Sequence, residues 1–302
     1  MRTTRRAVVA VRRELANSEE GPPGPDSQVD IDARKSTFHP LKGQFDLRAG
    51  VAAYAPIIAV FGSLSVPAIV LILTVPTLSG DCKTSKSSLA LATGLLVIGM
   101  FGSLLGALAA AAIGAERAPT ANLTAAAMYM AVPAMASVVS VLGAFEILVS
   151  MYAPSSTALF AMIVAAAGAF GVLFTSFAIA DSPSLGPSDP ELYQEWIEGQ
   201  WLQDRVTAQK WARIVTGVAL CPIIAAVILW WCRISAAPAA GPNNALVGTA
   251  LGLTIFFTAR SQLRATHAAS GKDKGLHRYE AFLSCISIGA YTAAVLMLMP
   301  QR

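Results

Sequence analysis

Of the 302 residues, 55% are hydrophobic and only 13% charged, against about 25% charged in ordinary soluble domains. With a mean hydropathy of +0.57, that composition excludes a soluble globular chain and identifies an integral membrane protein. The net charge of +4 does not indicate a nucleic-acid-binding face, because the Lys and Arg residues flank apolar runs instead of forming a free basic surface with interleaved aromatics.

Residues 1–50 read as a polar cytoplasmic tail. The opening MRTTRRAVVAVRR has the charge of a secretory leader, but its apolar stretch is shorter than the roughly 7–15 residues such a leader needs. A short basic amphipathic helix on an anionic lipid surface is the less favoured alternative to a solvated tail. The following SEEGPPGPDSQVDID is rich in Pro, Gly and acids and buries too little apolar surface to offset its ordering entropy, so disorder is expected.

Residues 51–302 read as a transmembrane helical domain of about seven spans, at 51–76, 89–115, 121–151, 157–180, 212–231, 244–259 and 281–299. Each approaches the roughly 20 apolar residues that a 30 Å hydrocarbon layer requires. The alternation of a transmembrane barrel is missing. The fold class is therefore an all-α polytopic bundle. Its sixth span is the weakest, because its apolar core is short and follows AAPAAGPNN; six spans is the alternative count.

Placing the amino terminus in the cytoplasm puts eighteen Lys and Arg inside and four (Lys83, Lys86, Arg233 and Arg302) outside. The positive-inside rule then fixes the orientation, with the carboxyl terminus outside. The expected location is the cytoplasmic membrane of a bacterium, since heavy use of Ala with few Lys fits a GC-rich genome.

Between the fourth and fifth spans, 188–210 reads as an interfacial amphipathic helix. Ser188 or Asp189 caps it, Pro190 suits its first turn, and Trp196 and Trp201 sit at headgroup level. Mid-span Pro67, Pro133 and Pro222 are candidate hinges, because proline removes a helical hydrogen bond. VPA recurs at 66–68 and 132–134, and GMFG at 99–102 is echoed by GAFG at 168–171. This is a faint two-helix repeat, with chance as its rival in so biased a composition. Gly102 with Gly106 and Gly248 with Gly252 have the spacing that lets helix backbones approach. They serve packing within the bundle or contact with a protein partner or second copy.

Glu146 is the one acid well inside an apolar run. A carboxylate there is costly unless paired, solvated or protonated. Two readings follow: an interfacial acid wetted at the outer end of a long span, or an intramembrane polar site with Tyr129, Ser137, Ser140, Ser150 and Tyr291 as candidate neighbours. Arg260 and Arg264 are four apart, hence on one helix face, and are candidate contacts for anionic headgroups. Cys82 and Cys232 fall on the outer side as a candidate disulfide, while Cys221 and Cys285 read as buried apolar residues. His39, His267 and His277 lie in polar segments without zinc spacing. No catalytic, metal or cofactor motif is recognisable, and no cofactor or nucleic-acid partner is expected.

The chain is accordingly expected to act without covalent chemistry, as a small-solute or ion transport protein or as a membrane subunit of a larger complex. The alternative is a membrane-embedded enzyme acting on a lipid or isoprenoid. A reporter fused ahead of residue 51 is expected to score as cytoplasmic and one fused after 302 as external. The reverse pattern would refute the charge-based orientation.

Overall fold

The computed structural model describes residues 47–74, 83–115, 121–152, 156–181, 201–232, 244–269 and 278–299. They form seven helices: α1 (Leu47–Thr74), α2 (Lys83–Gly114), α3 (Ala121–Tyr152), α4 (Thr157–Asp181), α5 (Trp201–Trp231), α6 (Asn244–Ala269) and α7 (Arg278–Leu298). Among the described residues there is no strand. The reason is solvation: lipid supplies no hydrogen bonds, and a helix satisfies its own backbone.

Six of the helices are long and apolar enough to cross a membrane. The exception is α6, whose apolar run stops where Arg260 and Arg264 enter. It is nevertheless a full-length member of the bundle. The Ser261 hydroxyl of α6 donates to the Ala126 carbonyl near the start of α3 at 2.8 Å. One turn and more toward the other end, Ala250 and Thr254 share a cavity with Val132 and Ala136 of α3.

α3 is the hub. It packs against α1, α2, α4, α6 and α7, whereas α5 packs on α4 and α7. Over an 18-residue apolar stretch of each span, 67% of residues are buried in Ala125–Ser150, against 11% in Gly50–Thr74 and 22% in Val206–Trp231. α1 and α5 therefore lie at the margin, where an apolar surface such as Leu71, Leu73, Ile224 and Ile228 is exposed. In a bilayer that surface meets lipid.

Glycines set the close approaches. A Cβ on Gly102 of α2 would come within 2.8 Å of the Pro133 carbonyl oxygen of α3, and one on Gly106 would touch Ala134 at 3.5 Å. The first small-residue pair thus serves packing inside the bundle. The second, Gly248 with Gly252, has nothing within 4 Å and leaves an open face on α6. A Cβ on Gly289 of α7 would overlap the Ala219 carbonyl oxygen of α5.

Several sequence expectations are corrected. Residues 201–210 are not part of a separate interfacial helix but the first turns of α5, which runs unbroken to Trp231; residues 182–200 lie outside the described residues, as does the tail 1–46. Helix continues through Pro67, Pro133 and Pro222, as a helix bent at a proline also does. α1 packs on α2 and α3 on α4, as a two-helix unit used twice would have it, whereas α5 and α6 are not a packed pair. Cys221 is exposed on α5, not buried; Cys285 is buried as expected.

Replacing Gly289 by Ala should lower thermal stability of the detergent-solubilised protein by roughly 1–3 kcal/mol, the usual range for overpacking. Gly252→Ala should leave it unchanged or raise it slightly, because its Cβ enters open space. Equal melting shifts for the two variants would refute the α5–α7 close approach.

Candidate functional site

The buried charged residues of the described bundle, Glu146, Arg264 and Glu280, lie on α3, α6 and α7. α3 and α7 run parallel: Tyr129 lies beside the Glu280 cluster, the Ser140 hydroxyl is hydrogen-bonded to the Tyr291 hydroxyl at 2.5 Å, and a Cβ on Gly143 would meet Val295. α6 runs the opposite way, carrying Thr254, Ser261 and Arg264 on its buried face. Two polar groups succeed one another along this seam, and Glu146 lies farther along α3.

At the end holding the α6–α7 connection, two arginines converge on one carboxylate. The Arg264 guanidinium donates to Glu280 Oε2, and Arg260 Nη2 lies 3.2 Å from Oε1. Side-chain exposure is 7% for Arg264, 35% for Arg260 and 1% for Glu280, so Arg264 and Glu280 form a buried pair and Arg260 its solvent-facing partner. The Arg260 guanidinium also stands over the Tyr129 ring, 5.6 Å from its centroid. Glu280 occupies the first turn of α7, where the helix dipole favours an anion. The four-residue spacing of the arginines does put both on one face, but that face meets α7. Both reach a carboxylate that the sequence expectation did not name.

In the middle of the seam, the Ser140 hydroxyl is shared between Tyr291 and the Ala136 carbonyl, each at 2.5 Å. Beside it is a cavity of about 10 Å³ between α3, α6 and α7, lined by Thr254, Ser287, Tyr291 and Thr292 among apolar neighbours. That is room for about one water. Ser137 faces elsewhere: its hydroxyl donates to the Gly99 carbonyl at 2.7 Å and meets the Ser103 hydroxyl at 2.5 Å, tying α3 to α2.

At the far end stands Glu146, 0% exposed. Neither carboxylate oxygen has a hydrogen-bond partner among the described residues. One turn below it, the surroundings of Gly143 are Val295, Leu95 and Met299. Burial removes the interfacial reading, since no oxygen reaches the surface. The expected neighbours are not gathered around it either: Tyr129 belongs to the arginine cluster, Ser137 to α2, Ser140 and Tyr291 to each other, and Ser150 to the Ile147 carbonyl at 2.7 Å.

Two residues of the seam escaped the sequence reading. Glu280 sits at a span boundary, where an acid attracts no notice. Ser284, 0% exposed with an unpartnered hydroxyl, is one serine among many. The available signal was spacing: Glu280, Ser284, Ser287 and Tyr291 recur at i, i+4, i+7 and i+11, one stripe of a helix. For the proposed disulfide, Cys232 is an exposed free thiol, and Cys82 lies outside the described residues.

Glu280→Ala would remove the buried carboxylate that Arg264 and Arg260 share, and should destabilise the protein by roughly 3–5 kcal/mol. Arg260→Ala, at the wetter end of the cluster, should cost clearly less. Thermal melts in detergent distinguish them, and equal losses would contradict the burial difference. In comparisons with known proteins, no family model matches this chain, and neither a curated protein nor a solved structure is significantly similar to it.

Proposed function

We propose that this multi-pass membrane protein moves a small ion across the bilayer without covalent chemistry, using Glu146 as the exchanging group. The observation that carries the reading is the burial of that carboxyl with both oxygens unpartnered. A group so costly to place in an apolar bundle does not contribute to packing, and intramembrane acids of this kind are characteristic of ion pathways.

The size of the interior narrows the cargo. A solute carrier calls for a midplane cavity beside Pro67, Pro133 and Pro222 with access to Glu146. The described cavity holds about one water, and none of those prolines nor Glu146 is among its lining. The cavity between α3, α6 and α7 would therefore admit a small ion and not an organic solute.

Membership of a larger assembly is the second reading, favoured by the open Gly248 and Gly252 face of α6. The enzyme alternative would draw on the convergence of Arg260, Arg264, Glu280 and Tyr129, but there the charges are directed at one another.

In proteoliposomes carrying an imposed ion gradient, the purified chain should dissipate the membrane potential faster than empty vesicles, and Glu146→Gln should slow this markedly. A correctly folded protein that passes no ion at all would refute the transport reading and leave the subunit reading.

A further inference from the structure

Resting on the ion-transport reading, we propose that the ion is the proton, carried on Glu146 and relayed along the α3–α7 seam by Ser284, Ser287 and the Ser140–Tyr291 pair.

The surroundings of Glu146 argue against a divalent cation. Calcium takes 6–8 oxygen ligands and magnesium needs an octahedral set. Glu146 offers two oxygens, and no described side chain brings a third within hydrogen-bonding distance. No group of three His, Cys, Asp or Glu converges among the described residues. A proton needs no shell: bound to one carboxyl oxygen, it removes the charge that makes the site costly.

Nor does another charge compete for the role. Among the described side chains of the helices packed on α3, α2 and α4 offer no titratable group and α1 only Tyr54, which stacks edge-on against Phe174. α6 offers Arg260 and Arg264, both engaged with Glu280. α7 offers Tyr279, Glu280, Cys285 and Tyr291, of which only Tyr291 lies in the same half as Glu146. Glu280, clamped by two guanidinium groups, stays an anion and anchors the stripe's beginning.

The stripe supplies the relay. Glu280 to Tyr291 spans about 16 Å of helix at 1.5 Å per residue, with hydroxyls at Ser284, Ser287 and Tyr291 on one face. Ser284 has a buried hydroxyl awaiting a partner, and the water-sized cavity beside Ser287 and Tyr291 bridges a gap too long for direct bonding. Each hydroxyl accepts one proton as it releases another. One proton therefore enters, one leaves, and no electron moves. Beyond Tyr291, the turn of Gly143 and Val295 separates Ser140 from Glu146 by about 9 Å of helix rise. That apolar turn closes the path in this conformation and prevents a leak.

The test uses the full chain in phosphatidylethanolamine–phosphatidylglycerol vesicles loaded with a pH-sensitive dye, with potassium and valinomycin setting the potential. The dye should report proton movement in the wild type. Glu146→Gln should reduce it to the level of empty vesicles, and Tyr291→Phe should slow it while leaving the fold intact. Flux of sodium without protons would overturn the proton assignment and keep ion transport; no flux of any ion would overturn both. Unchanged proton flux in Glu146→Gln would remove the carboxyl from the path. Should that variant fail to fold, infrared spectra of the wild type decide: a protonated-carboxyl carbonyl band at neutral pH supports the proposal, and its absence refutes it.

Discussion

Lipid offers no hydrogen bonds, and almost everything in this structure follows from that deprivation. Hydroxyls in the spans turn back onto their own helices: Thr93 donates to the Leu89 carbonyl, Thr175 to Gly171, Thr216 to Ala212, Thr254 to Ala250 and Thr292 to Ile288, all at 2.7–2.8 Å. Such i−4 bonds let a polar residue sit in an apolar helix without a tertiary partner. Hydroxyls that reach across helices instead, such as Ser137, Ser140 and Ser261, are all buried and all on α3 or facing it.

The same deprivation explains the bundle's construction. With no hydrophobic driving force between helices in lipid, association relies on close packing of small residues and on a few interhelical hydrogen bonds. Gly99, Gly102 and Gly106 bring α2 against α3, Gly168 admits Thr292, and Gly289 brings α7 onto the backbone of α5. α3, rich in Ala and Ser, can accept five neighbours because few of its side chains hold them away. The peripheral α1 carries the bulkier Val, Leu and Ile instead.

Two carboxylates meet this environment in opposite ways. Glu280 is compensated by Arg264, Arg260 and a helix amino terminus, so its charge is retained and becomes a tie between α6 and α7. Glu146 has no such compensation among the described residues, so a charge there is a liability. A structural acid holds partners; an acid kept without them is suited to exchange. The contrast within a single seam separates the element that fixes the helices from the one proposed to do the work.

The sequence by itself determined the solvent, the helical class and the places where the chain turns. Helix boundaries at 74, 152, 231 and 298 fall within a few residues of those read from hydropathy, because the length of an apolar run is a local property that the bilayer thickness converts into a span. It also put Arg260 and Arg264 on one face. Only the tertiary structure decided what those faces met. Whether Glu146 was wetted or buried, whether the arginines faced headgroups or Glu280, and which glycine pair was used inside the bundle all depend on the rotation of each helix about its axis. Rotation is set by packing among neighbours distant in sequence, and an evenly apolar helix carries little record of which side faces inward. The stripe of Glu280, Ser284, Ser287 and Tyr291 is the exception, a face written in polar residues, and its meaning emerged only once α3 and α6 were seen to close over it.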